Sequence, residues 1–191
     1  MFITIYGINN IGKSTQVKLL VERLREAGHE TEYLKYPIYD LEPTGPRIDE
    51  VLRGGKSQDI GEEELQGYYA QNRRDFEPTL KSWLSEGKKV VAEDYVGTGI
   101  AWGVSKGADL EELEKINSGL LKENLAILLD GESFSKDRET QHIHEGNADL
   151  MQKCKEVHLM LAERYSWKIV NANRSIDEVH EDVWKVVTSS W

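Results

Sequence analysis

Gly7, Gly12, Lys13 and Ser14 stand at the spacing G-x-x-x-x-G-K-[ST], and each residue type in that spacing has a chemical reason to be there. Two glycines let the backbone turn tightly enough for successive N–H groups to point inward as an anion nest. The lysine adds a positive charge for the β- and γ-phosphates, and the serine hydroxyl can take a place on Mg²⁺. A helix that begins here aims its positive end at the same anion. The candidate nucleoside triphosphate segment is therefore Gly7, Ile8, Asn9, Asn10, Ile11, Gly12, Lys13, Ser14 and Thr15, with Lys13 as a catalytic group and Ser14 as a metal ligand.

The loop needs a strand before it and a helix after it. Phe2, Ile3 and Ile5 form a short apolar run that fits a buried strand. Val17, Leu20, Val21 and Leu24 fall at i, i+3, i+4 and i+7, one face of an amphipathic helix that Gly28 ends as its C′ residue. Residues 30–36 read as a second strand stopped by Pro37, and a glycine- and proline-rich loop with a short helix over 48–53 follows. Leu65, Tyr69, Asn72, Phe76, Leu80 and Trp83 repeat at helical spacing, with Pro78 expected to kink or divide that helix. Residues 89–94 are a third strand with Glu93 near its C-terminal end. A short helical turn follows Thr98, then a charged helix over about 109–122.

A fourth strand, 125–129, leads through Asp130-Gly131 into a polar stretch, 133–146, that reads as a flap. Leu150, Cys154, Val157 and Leu161 mark the next helix, and 167–171 a fifth strand. The last helix opens on a Ser175/Glu178 capping box and is expected to bury Ile176, Val179, Val183 and Val186. Strands alternating with helices imply a three-layer α/β/α domain over 1–191 around a five-stranded parallel sheet. In such a sheet ligands bind at the C-terminal strand ends, which gathers residues 7–15, Pro37, 93–98 and 131–138 round one crevice.

Composition narrows the class. The chain has 191 residues, 39% hydrophobic and 30% charged, enough for one domain with a sizeable core. An N-terminal strand rather than a leader, no membrane-length apolar run, and a single cysteine, Cys154, point to a soluble cytoplasmic protein without disulfides or a thiolate metal cluster. Cys154 lies on an apolar helical stripe and reads as a small core residue. A net charge of −10 argues against a nucleic-acid surface. It also means that a polyphosphate must be held by local donors against the overall field.

Taken in order, the motifs resemble the thymidylate kinase family of P-loop nucleoside monophosphate kinases over essentially the whole chain. They are the loop at 7–15, Tyr36-Pro37, Tyr69-Ala70-Gln71-Asn72-Arg73, Glu93-Asp94-Tyr95-Val96-Gly97-Thr98, the polar stretch 133–146, and Ala172-Asn173-Arg174-Ser175-Ile176. The resemblance implies transfer of the γ-phosphoryl of ATP, with Mg²⁺, to a deoxynucleotide, dTMP giving dTDP. It implies an acceptor region at about 37–75, in which Pro37, Arg47, Tyr69, Arg73, Thr98 and Gly99 bind substrate. Tyr69 would stack on the acceptor base and Arg73 would bond its edge. Glu93 would act in catalysis and hold metal with Ser14. Arg138, in a lid over 133–146, would act in catalysis and cover the adenine. Relatives with this pattern pair as homodimers, and Trp83, Trp102 and Trp191 are candidates for such an interface.

Departures from the family pattern bear on the acceptor. Asp94 and Tyr39 stand where the family has arginines, and Asn9 and Asn10 replace an Asp and an Arg or Gly inside the loop; His142 and His144 occupy the lid. A hydrogen bond to a charged group contributes about 1.5–3 kcal/mol, so two lost arginines remove about 3–6 kcal/mol, on the order of 10²–10⁴ in affinity. The sequence offers Arg47, Arg53 or Arg74 as replacements. It leaves open a nucleoside kinase using Glu93 as a base for a 5′-hydroxyl, and a nucleotide sensor without turnover.

Overall fold

The computed structural model describes residues 1–53, 60–133 and 148–191. At its centre Phe2–Tyr6 (β1) is buried at every position. Its side chains alternate between two faces. Ile3 and Ile5 join Val17, Leu20 and Val183 in one cluster, and Phe2 and Tyr6 join Leu80, Tyr95 and Leu128 in another. Burial on both faces is why the run reads as continuously apolar.

Four further strands complete a parallel sheet: Thr31–Lys35 (β2), Lys89–Glu93 (β3), Leu125–Asp130 (β4) and Lys168–Asn171 (β5), in the order β2-β3-β1-β4-β5. The helices are Lys13–Glu26 (α1), Thr44–Arg53 (α2), Glu62–Ser85 (α3), Val96–Ser105 (α4), Leu110–Ile116 (α5), Ala148–Tyr165 (α6) and Ile176–Thr188 (α7). The chain winds outward to β2 and β3 and then crosses back past β1 to β4. That reversal opens a crevice at the C-terminal ends of β1 and β3.

Several boundaries differ from expectation. Pro78 does not divide α3, which runs unbroken through it. Burial on both sides holds the helix together: Leu80 is fully buried, and Phe76 packs edge-on to Trp83 at 5.4 Å between centroids. The turn expected after Thr98 is a ten-residue helix that starts earlier, at Val96. The charged helix stops at Ile116, because Asn117 caps it and a turn through Gly119, at φ +80°, follows. In α7 the capping box forms as read, but Ile176 is 58% exposed and Val187, rather than Val186, is fully buried. Trp102 is buried, so it offers no surface for an interface; Trp191 is the most exposed of the three tryptophans named for one. Cys154 is buried as expected, and burial pushes its thiol up to about 12.

Candidate active site

The loop between β1 and α1 adopts the conformation that its glycines permit. Gly7 lies at φ +146° and Gly12 at φ +98°, with Asn10 at +58° between them. A Cβ at Gly7 would stand 2.8 Å from the Leu129 carbonyl oxygen, so only glycine lets the loop lie this close to β4. Lys13 folds back over this loop, donating from Nζ to the carbonyls of Gly7 at 2.8 Å and Ile8 at 2.9 Å. Its ammonium is also 3.7 Å from an Asp94 carboxylate oxygen.

At the end of β3, Glu93 is 3% exposed and accepts three contacts. Ser14 Oγ donates at 2.7 Å and the Lys35 ammonium lies at 3.0 Å, both on Oε1, while Tyr33 OH donates to Oε2 at 3.0 Å. Burial alone would raise the Glu93 carboxyl, but Ser14, Lys35 and Tyr33 outweigh it and hold its pKa below the usual carboxylate value. Glu93 is therefore ionised at neutral pH. Asp94 behaves in the opposite way: burial raises its pKa despite Lys13 and the hydroxyl of Thr98, which donates at 2.6 Å.

The other wall belongs to α3 and α4. Asn72 ties α3 to the segment after β2, accepting from Ile38 N at 2.8 Å and donating to Ile38 O at 2.9 Å. One residue on, Arg73 is 4% exposed and donates to Asn117 Oδ1 at 2.8 Å and to the Tyr95 carbonyl at 2.9 Å. A Cβ at Gly99 would lie 2.8 Å from both Arg73 Nη2 and Gln66 Oε1, so α4 can approach α3 here only without a side chain. The Gln66 oxygen is buried and has no partner among the described residues.

These groups line one cavity of about 710 Å³, bordered by the phosphate loop at one end and by Tyr69, Arg73, Thr98 and Gly99 at the other. Pro37, Lys35, Tyr39 and Lys106 also line it. Not every residue singled out from the sequence arrives there. Arg47 sits on the outside of α2, 2.7 Å from Glu50 and clear of the cavity. Arg53 pairs with Asp49 at 3.0 Å and lies over the Tyr39 ring, and Arg74 donates to the carbonyls of Ile116 and Ser118. None of the three lines the cavity. Thr98 lines the cavity, but its hydroxyl is committed to Asp94. Arg138, His142 and His144 lie outside the described residues, with all of the lid except Ser133.

Hard oxygen donors suit Mg²⁺. Ser14 Oγ and the ionised Glu93 carboxylate supply such oxygens at the mouth of the loop. No group of three or more His, Cys, Asp or Glu gathers round one point among the described residues. Among the described residues these two oxygens would make a partial set, the rest of a Mg²⁺ shell falling to substrate phosphates and water.

The family model for thymidylate kinase matches residues 5–183. The chain belongs to the thymidylate kinase family. Across 98% of its length it is 32% identical to a probable thymidylate kinase of Thermococcus onnurineus (strain NA1), covering 97% of that protein. It is 30% identical to the thymidylate kinase of Homo sapiens, over 95% of this chain and 86% of that one. The solved structure of thymidylate kinase from Candida albicans superposes with a TM-score of 0.83 at 24% identity, covering 98% of this chain and 91% of that one. At that identity the match establishes the fold.

Proposed function

We infer that this chain transfers the γ-phosphoryl group of ATP to dTMP, giving dTDP and ADP. One observation carries the reading. A phosphate-binding loop and a wall suited to a flat polar ring open into the same cavity, with the Ser14–Glu93 pair between them. The volume of about 710 Å³ lies in the range of small-molecule sites. The relatives named thymidylate kinase support dTMP as acceptor.

The chain's own groups divide the work. The backbone of the loop and Lys13 bind the triphosphate and stabilise charge on the transferring group. Tyr69 stacks on the acceptor ring, and Arg73, fixed by Asn117 and Tyr95, presents its guanidinium to the ring edge. Ser14 and Glu93 would hold Mg²⁺, which would supply positive charge to the phosphates. Ser14, Lys35 and Tyr33 hold Glu93 ionised. An acceptor oxygen that is already anionic needs positioning more than deprotonation.

The family resemblance assigns Arg138 and the lid at 133–146 to the adenine; Arg138 lies outside the described residues. The whole of 1–191 acts as one catalytic unit in the cytoplasm, and the family resemblance implies a homodimer as one possible assembly. Among the described residues no helix is long and apolar enough to cross a membrane. The test is ADP release with ATP, Mg²⁺ and dTMP: turnover in the wild type that Lys13→Ala abolishes supports the reading, and no turnover with dTMP overturns it.

A further inference from the structure

The acceptor carries a phosphate that must approach the γ-phosphate beside Ser14, and some cation of the cavity has to meet it. Among the described residues, four cationic side chains line the cavity: Lys13, Lys35, Arg73 and Lys106. Three are committed elsewhere. Lys13 is tied to the Gly7 and Ile8 carbonyls and faces Asp94. Arg73 is held at the ring end by Asn117 and the Tyr95 carbonyl. Lys106 is bonded to Glu62 at 2.7 Å, with both side chains largely covered.

Lys35 differs in place and exposure. It ends β2, on the edge of the sheet where ligands bind, and its side chain is 48% exposed. Its ammonium lies 3.0 Å from the same Glu93 oxygen that accepts from Ser14. The charge thus stands one carboxylate oxygen away from the hydroxyl that marks the metal position. It lines the same cavity as the phosphate loop and the ring-binding wall. Burial pulls its pKa down, but Glu93 and Asp94 more than restore it, so the group stays charged throughout the physiological range.

We propose that Lys35 is the residue that grips the phosphate of the acceptor nucleotide. The inference rests on the monophosphate reading above. Its ammonium turns from Glu93 toward the incoming dianion, while Ser14 and Tyr33 keep the carboxylate in place.

Calorimetric titration of wild type, Lys35→Ala and Lys35→Arg with dTMP and with thymidine tests it. A charge-assisted contact of this kind sets the expected effect at about 10- to 100-fold. Wild type should bind dTMP at least about tenfold more tightly than thymidine, and Lys35→Ala should erase most of that preference by weakening dTMP alone. Thymidine affinity should stay within about twofold, showing that the pocket is intact, and Lys35→Arg should keep the preference because the charge remains. If Lys35→Ala retains the full preference, the assignment of Lys35 falls while the monophosphate reading stands. If wild type binds thymidine as tightly as dTMP and phosphorylates it, both fall together.

Discussion

At the scale of single residues, Glu93 organises the site, because Ser14, Tyr33 and Lys35 all converge on its carboxylate. Lys13 is the group whose loss should be felt most in turnover. Lys13→Ala is expected to lower kcat by at least about 10²–10³-fold in an ADP-release assay, the size seen when one preorganised electrostatic donor is removed. Arg47→Ala should leave the KM for dTMP within about twofold, since an exposed ion pair outside the cavity contributes little. Gly99→Ala should raise that KM about tenfold or more, because the new methyl presses on a guanidinium that Asn117 and Tyr95 hold fixed. Equal KM values for Gly99→Ala and wild type would show that Arg73 yields without loss.

The phosphate loop was legible from four residue types at fixed spacing, since only glycine meets the backbone demand at Gly7 and Gly12. Tyr69 and Arg73, picked out by their place in an ordered series of motifs, line the cavity. Lys35 was not singled out, although it immediately precedes the Tyr36-Pro37 pair that marks the strand end. Nothing in its spacing distinguishes a lysine that faces the cavity from one that faces solvent. Asn72 and Asn117 were hidden for a related reason: their hydrogen bonds reach residues 34 and 44 positions away. Arg47 lies clear of the cavity, because sequence gives the charge of a helical arginine without giving the face it occupies.

At the scale of elements, α6 carries a titratable group in its packed face. His158 is 1% exposed, donates through Nδ1 to the Cys154 carbonyl at 2.8 Å, and has no partner for Nε2 among the described residues. Burial lowers its pKa from 6.5 to about 4. The unfolded chain therefore takes up this proton first as pH falls through 6.5, and folding stability declines until the folded form titrates near pH 4. A fall of that size corresponds to about 3 kcal/mol for this group. Urea unfolding should show wild type losing stability more steeply between pH 7 and pH 5 than His158→Gln. Parallel slopes would mean that His158 takes up its proton alike in the folded and unfolded chain. Among the elements, β1, β4 and the α7 cap were readable as short-range patterns, whereas the early start of α4 and the unbroken α3 depend on tertiary burial that no local period records.

At the scale of the whole molecule, a net charge of −10 surrounds a site built for anions. Binding therefore rests on short-range donors, and the surface should hold no nucleic acid. A gel-shift experiment with duplex DNA at about 0.1 M salt is expected to show no complex. A retarded band would mean that a basic face exists despite the overall charge. The sheet order, with β1 flanked by β3 and β4, is what brings the loop at residues 7–15 and the carboxylate of Glu93 to one crevice. The central claim is that the acceptor entering this crevice is a monophosphate. The direct test is coupled ADP release with ATP, Mg²⁺ and a panel of dTMP, dUMP, dCMP, dGMP, thymidine and deoxycytidine. The account predicts turnover with dTMP and none with the two nucleosides; turnover with nucleosides alone would contradict it and make Glu93 the base for a 5′-hydroxyl.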